Sequence, residues 1–246
     1  MIYIFYRDTS HNKVHSDQFD WMNYEKCFKS LLDTLDENCK LTIMFDGDTA
    51  NHYVEKYQNK YKYDIVKIDA GNDFASNTKT FEYIKSLDYI KEGDIIGVFE
   101  NDYLYLPWIK DVMTLYYYSL NYQMWENTYV SLFDHKDKYM YNVPNGMEDS
   151  GMYSNLKSQI YLGLTRYWRT TPSTCASFLM SKKVFDKDYE IHISGKADNS
   201  RFGELTKEPY NRVVLTPMPS LATHTNKYFF APLINWKNLN DSIELL

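Results

Sequence analysis

The sequence predicts an α/β fold: a mixed, mostly parallel central sheet flanked by helices. Three observations predict it. Short β-branched apolar runs alternate with helical patterns over the first hundred residues, which read β-α-β-α-β-α-β. Of the four strands in that series, three end in acidic loops, at Asp46, Asp69 and Asp102, and the remaining one ends in Tyr6-Arg7. The chain has 246 residues, 44% of them apolar, with no internal repeat and no low-complexity linker, enough for one large core. A single domain over residues 1–246 is expected.

The elements follow in order. Ile2 to Tyr6 is a strand beginning one residue from the N-terminus. Asp20 to Leu35 carries Trp21, Tyr24, Phe28, Leu31, Leu32 and Leu35 at spacings of three and four, a helix with one apolar face. Leu41 to Phe45 is a buried strand running into Asp46-Gly47-Asp48, with Thr49 as cap for a helix from Ala50 to Tyr57. Tyr63 to Ile68 is the third strand. A helix through Phe81, Ile84 and Leu87 follows, with Ser76 or Asn77 as its cap. Asp94 to Trp108 is the central stretch: a continuous apolar run, Ile95-Ile96-Gly97-Val98-Phe99, turns abruptly acidic at Glu100-Asn101-Asp102. Such a run suits a strand buried on both faces, and the carboxyl ends of such strands are where open α/β sheets bind ligands. Carboxylates there can hold a hard divalent cation against a phosphate.

The second half is less regular. Trp108 to Trp125 reads as helix, and 129–133, 161–167, 175–180 and 212–215 as strands. Residues 140–158 hold Asn, Gly, Ser and Pro with little periodicity, so a mobile loop over the site is expected there.

Composition excludes several classes. Net charge is −6 without a basic stripe, so polymeric nucleic acid is not the expected partner. There is neither a Gly-x-Gly-x-x-Gly nor a P-loop, which disfavours a classical dinucleotide site. The three cysteines, Cys27, Cys39 and Cys175, have no close pair and read as free thiols. No signal peptide and no apolar run of membrane-spanning length is present, so a soluble, cytoplasmic protein is expected.

Four segments resemble the small virus- and bacterium-associated glycosyltransferases of GT-A type. Phe45-Asp46-Gly47-Asp48 looks like the acidic turn that holds the base of a nucleotide sugar. Asn72-Asp73-Phe74-Ala75-Ser76 looks like the segment that opens the helix bordering the nucleotide. Glu100-Asn101-Asp102 looks like a variant of the Asp-x-Asp metal motif, with Glu at its first position. Ser220 to His224, followed by Ala231 to Trp236, looks like the part that returns a histidine to the metal. The resemblance spans almost the whole chain. It implies a GT-A, Rossmann-like fold, with a nucleotide-sugar-binding half over 1–103 and an acceptor-binding half over 104–246. It also implies Mn²⁺ or Mg²⁺, a nucleoside-diphosphate sugar (a UDP-sugar foremost, a GDP-sugar next) and a glycan or other hydroxyl acceptor for a hexosyl-type transfer.

The residues then take expected roles. Asp102 and His224 are the candidate metal ligands, since carboxylate and imidazole together suit Mn²⁺. Glu100 is placed at the ribose or a metal-bound water, and Asn101 beside it. Asp46 can accept from a base N–H, Tyr6 can stack on the base, and Ser76 borders the nucleotide. Arg7 or Lys79 can face phosphate. Trp168, Arg169, Asp134 and His135 are expected along an acceptor groove. A transfer with inversion needs a carboxylate to take the acceptor proton; Asp198 is the first candidate and Asp149 the second. Two other readings share these features, a sugar nucleotidyltransferase and a non-catalytic nucleotide- or glycan-binding module. The first loop, Tyr6 to Ser10, lacks the glycine usual in the former.

Overall fold

The computed structural model describes residues 1–12, 15–116, 122–139 and 156–246. The first half holds β1 (Ile2–Thr9), α1 (Tyr24–Leu32), β2 (Cys39–Asp46), α2 (Tyr53–Gln58), β3 (Tyr63–Ile68), α3 (Asp73–Ser86) and β4 (Ile95–Glu100). Then come β5 (Tyr103–Tyr105), α4 (Ile109–Thr114), α5 (Tyr122–Trp125), β6 (Thr128–Ser131), β7 (Ile160–Leu162), β8 (Tyr167–Thr170) and β9 (Phe178–Ser181). The chain ends with α6 (Lys182–His192), α7 (Asp198–Leu205), β10 (Val213–Met218), β11 (Ala222–His224) and α8 (Trp236–Ser242).

The expected α/β fold is the one observed. Nine strands form one sheet in the order β3-β2-β1-β4-β9-β6-β10-β8-β7. The first four are parallel neighbours. β9 runs antiparallel between β4 and β6, β10 lies parallel to β6, and β8 with β7 closes the far edge as an antiparallel hairpin. The ribbon β5–β11 stands apart from the sheet and pairs Tyr103 with His224. Among the described residues no helix is long and apolar enough to cross a membrane.

The alternation of β1 explains the two-layered core. Ile2, Ile4 and Tyr6 pack on one face with Phe28 and Leu31 of α1, while Tyr3 and Phe5 pack on the other with Phe81 and Ile84 of α3 and Phe185 of α6. Helix boundaries move where capping chemistry differs from expectation. α1 starts at Tyr24 behind its cap Asn23, whose side chain accepts from the Lys26 amide, and α2 is capped by His52 in place of Thr49. α3 is capped by Asn72, which puts both Ser76 and Asn77 inside the helix. The single strand expected over 161–167 is a hairpin turning at Gly163, where any side chain would meet the Trp168 indole at 2.6 Å.

One core group makes stability depend on pH. His192 is buried among Phe81, Phe178 and Phe185, and burial together with the charge of Arg201 holds its pKa well below 6.5. The unfolded chain takes up this proton near pH 6.5 and the folded chain does not. Its contribution is therefore fully present above that value and is lost as pH falls below it, by at most about 1.4 kcal/mol per pH unit. Urea unfolding at pH 7.5 and 5.5 should show a smaller loss on acidification for His192→Gln than for the wild type. Equal losses would reject the assignment.

Candidate functional site

The carboxyl ends of β1, β2 and β4 and the N-terminus of α3 surround a cavity of about 440 Å³. Its lining is Arg7, Asp8, Thr9, His11, Asp46, Gly71, Asn72, Asp73, Ser76, Glu100, Asn101, Asp102 and His224. Parallel register brings these together: Arg7 lies opposite Glu100 in β4, and Thr9 opposite Asp46 in β2.

Arg7 is the buried cation of the cavity. One side-chain nitrogen pairs with Glu100, and another sits 3.0 Å from the Asp73 carboxylate and donates to the Asp73 carbonyl at 3.1 Å. The strand end thereby grips the first residue of α3. Burial pushes the Glu100 carboxyl up to about 8; Arg7 opposes this, while Asp102, Asp198 and Asp73 add to it.

Asn101 donates to Asp8 Oδ1 and to Asn12 Oδ1, both at 2.7 Å, so the turn after β4 is fastened to the loop after β1. Asp46 lines the cavity with both carboxylate oxygens already accepting, from the amides of Ala70 and Gly71 at 2.9 Å each. Its neighbour Gly47 has φ 106°, and a Cβ there would lie 2.1 Å from Ser10 Oγ. Only glycine lets the turn approach the β1 loop this closely.

Asp102 and His224 meet at the far wall. Asp102 Oδ2 is 3.2 Å from His224 Nε2, and both side chains are about a fifth exposed, at 22% and 21%. The Asn226 amide donates to His224 Nδ1 at 3.0 Å, which places the ring proton on Nε2, facing Asp102. The backbone carbonyl of Asp102 accepts from both the amide and the hydroxyl of Thr225, at 2.9 Å each, so the ribbon is registered on this residue. Among the described residues no cluster of three or more His, Cys, Asp or Glu is arranged to hold a metal. The Asp102–His224 pair nonetheless presents one hard oxygen and one imidazole nitrogen to an open cavity. That is a fit for a cation taking its other ligands from phosphate and water.

No family model matches the chain, and neither does any curated protein. Among solved structures, Staphylococcus aureus TarS 1–349 aligns at 13% identity over 87% of this chain and 58% of that one, with a TM-score of 0.46. The same protein in complex with UDP aligns at 14% identity over 87% and 57%, TM-score 0.46. The 4-diphosphocytidyl-2C-methyl-D-erythritol synthase of Anaerococcus prevotii aligns at 13% identity over 98% and 95%, TM-score 0.45. The likeness is one of fold alone. The chain spans somewhat over half the length of TarS 1–349.

Several expected site residues lie elsewhere. β1 runs on to Thr9, so Tyr6 sits inside the strand, fully buried against Phe28, and its ring offers no face to a base. Lys79 is outside the cavity lining and donates to the Asp69 carbonyl. The expected acceptor-groove residues are interior. Trp168 is fully buried, and Arg169 Nη2 pairs with the buried Asp134 Oδ1 at 2.8 Å while its guanidinium covers the Tyr139 ring. His135 packs on Phe133 with Nε2 3.0 Å from Cys175 Sγ, and burial holds its pKa well below 6.5. These side chains join β6, β8 and the loop before β9 and do not form an open wall. Asp149 lies outside the described residues.

Asp198 is not in the cavity lining, but its charge acts on both Arg7 and Glu100. Its Oδ2 accepts from the Ala176 amide at 2.9 Å. Sequence reading gave no role to Asp8 and His11, and took Asn72 and Asp73 only as part of the segment bordering the nucleotide; all four line the cavity. The signal was available for Asp8 and Asp73, since each is a carboxylate in a loop already identified as a strand end.

Proposed function

We propose that this protein is a metal-dependent glycosyltransferase that moves a sugar from a nucleoside-diphosphate sugar to a hydroxyl acceptor on a glycan. The observation that carries the reading is the convergence of Asp102 and His224 at 3.2 Å on the wall of a cavity at the carboxyl edge of parallel strands. These two residues would hold Mn²⁺ or Mg²⁺, which supplies charge neutralisation to a departing diphosphate. With its proton on Nδ1, His224 would offer the Nε2 lone pair to the cation, and Nδ1 would no longer accept from the Asn226 amide.

The chain's own residues supply the rest. Arg7 is the cation on the cavity wall available to the phosphates, and Glu100 beside it is the acceptor available to the ribose hydroxyls. The amides at the start of α3 face negative charge, as helix N-termini do. Asp46 holds the 69–71 loop in place for the base. In the transfer, the acceptor oxygen bonds to the anomeric carbon as the carbon–oxygen bond to phosphate breaks. The nucleoside diphosphate leaves with that electron pair, and Asp198 takes the acceptor proton. Nucleotidyl transfer on the same scaffold is the second reading, because a buried arginine and a carboxylate–histidine pair on one cavity would serve a triphosphate as they would a diphosphate.

A thermal-shift panel of UDP, GDP, CDP and TDP, each with and without Mn²⁺, tests the reading. A ligand that binds only the folded state stabilises it by about 2.7 kcal/mol at one hundred times its Kd. Stabilisation by one nucleoside diphosphate, UDP foremost, and only with metal, is the expected result. No response to any of the four would reject it.

A further inference from the structure

We propose that Arg201 is a positioning residue that holds the Asp198 carboxylate and ties it to α3, the helix whose first turn walls the cavity. The proposal rests on the transferase reading above, with Asp198 as the base.

Asp198 is the first residue of α7, and the helix is capped at Ala197 without a side-chain hydrogen bond. The Asp198 carboxylate leaves the helix through Oδ2, which accepts from the Ala176 amide at 2.9 Å, while Oδ1 pairs with Arg201 Nη2, one turn on in the same helix, at 2.5 Å. Arg201 is 2% exposed. A guanidinium at that depth is kept only with partners. Its others are both on α3. Asn77, with its amide oxygen turned to the guanidinium, accepts from Nη2 at 2.9 Å and Nη1 at 3.3 Å. The guanidinium also lies over the Phe81 ring, 5.5 Å from its centroid. Asn77 and Phe81 are four residues apart and so share one face of the helix.

The same helix begins at the cavity. Asn72 caps it and lines the cavity, Asp73 binds Arg7, and Ser76, adjacent to Asn77, lines the cavity too. A continuous set of contacts thus runs from the nucleotide side through α3 and Arg201 to Asp198. A donor that orders the first turn of α3 also fixes the carboxylate that receives the acceptor proton. A merely structural Arg201 would instead only brace α7 against α3.

Release of UDP from UDP-glucose, UDP-galactose and UDP-N-acetylglucosamine with Mn²⁺ and water as acceptor separates the two roles. In that reaction water bonds to the anomeric carbon, UDP leaves with the electron pair, and Asp198 takes the water proton. Arg201→Met should lower kcat by roughly 30-fold with the donor KM within about twofold of wild type, since a group acting through the base affects the transition state and not donor binding. Arg201→Lys should recover part of that loss, and Asn77→Ala should lower kcat by about threefold. Glu204→Gln, on the same helix with a surface partner in Lys196, should leave kcat unchanged. In an Asp198→Asn background, Arg201→Met should cost less than about twofold more, the signature of residues acting as one unit. The full factor in both backgrounds, or a loss confined to KM, would overturn the positioning role while leaving the transferase reading in place. If Arg201→Met does not fold, Arg201→Lys and Asn77→Ala in the same two backgrounds decide the question. The nucleoside diphosphate that stabilises the protein sets the donors, GDP-sugars in place of UDP-sugars where it is GDP, and a folded wild type that releases it from none of them, in the presence of Mn²⁺, overturns the transferase reading and this proposal with it.

Discussion

Asp102→Ala is expected to abolish metal-dependent nucleotide binding and to lower turnover by about 10³-fold, without unfolding the protein. The two halves of this statement have separate physical grounds. What Asp102 contributes to the fold runs through its backbone, whose carbonyl receives both the amide and the hydroxyl of Thr225. Alanine keeps that carbonyl. What it contributes to the site runs through Oδ2, which faces His224 Nε2 from a partly exposed position. Removing one charged ligand of two leaves the imidazole alone to recruit a hard cation, and an imidazole alone is a poor site for Mg²⁺ or Mn²⁺. Asp102→Asn keeps the size and the hydrogen-bond acceptor but not the charge, so it should fall near the alanine variant. Melting curves with and without UDP and Mn²⁺ check the first half, and kcat the second. Undiminished metal dependence in Asp102→Ala would move the functional centre away from this wall.

The parts legible in the sequence are those governed by local pattern. The parallel strands β2, β3 and β4 appear within a few residues of where apolar runs place them, and their acidic ends meet as the α/β plan requires. Arg7, Asp46, Ser76, Glu100, Asn101 and Asp102 reach one cavity for that reason, and His224 joins them from the β5–β11 ribbon. The misplacements come from non-local contacts. Tyr6 looks like a loop residue until the pairing of Arg7, Asp8 and Thr9 with Met44, Phe45 and Asp46 extends β1 past it. Trp168 and Arg169 read as groove residues because sugars pack on aromatic and guanidinium faces. Their burial follows from an antiparallel partner, β10, nearly fifty residues downstream. The β5–β11 ribbon left no periodic trace because each strand has three residues.

The largest expected effect on stability lies far from the cavity, at Asp188. Its side chain is wholly buried on α6 and accepts from Arg212 Nη2 at 2.6 Å, from Arg212 Nε at 2.7 Å and from the Tyr129 hydroxyl at 2.7 Å. Because Tyr129 donates to Asp188, it receives His192 Nε2–H at 2.9 Å, and Arg212 extends the network to Asn127 at 2.5 Å. One carboxylate thus joins α6 to β6 and to the start of β10, two sheet neighbours on which α6 otherwise packs by apolar contact. Asp188→Ala takes the charged acceptor from a guanidinium whose side chain is only 10% exposed and the acceptor from a buried hydroxyl. Breaking such a pair from one side costs about 3–5 kcal/mol. Removing both charges is milder, because desolvation of the pair offsets much of its attraction. Asp188→Leu combined with Arg212→Met should therefore be more stable than Asp188→Ala, although it lacks more polar groups. Urea unfolding of the two variants at pH 7.5 measures the difference directly. If Asp188→Ala unfolds within about 1 kcal/mol of wild type, water or another group satisfies Arg212, and the network is not what joins α6 to β6 and β10.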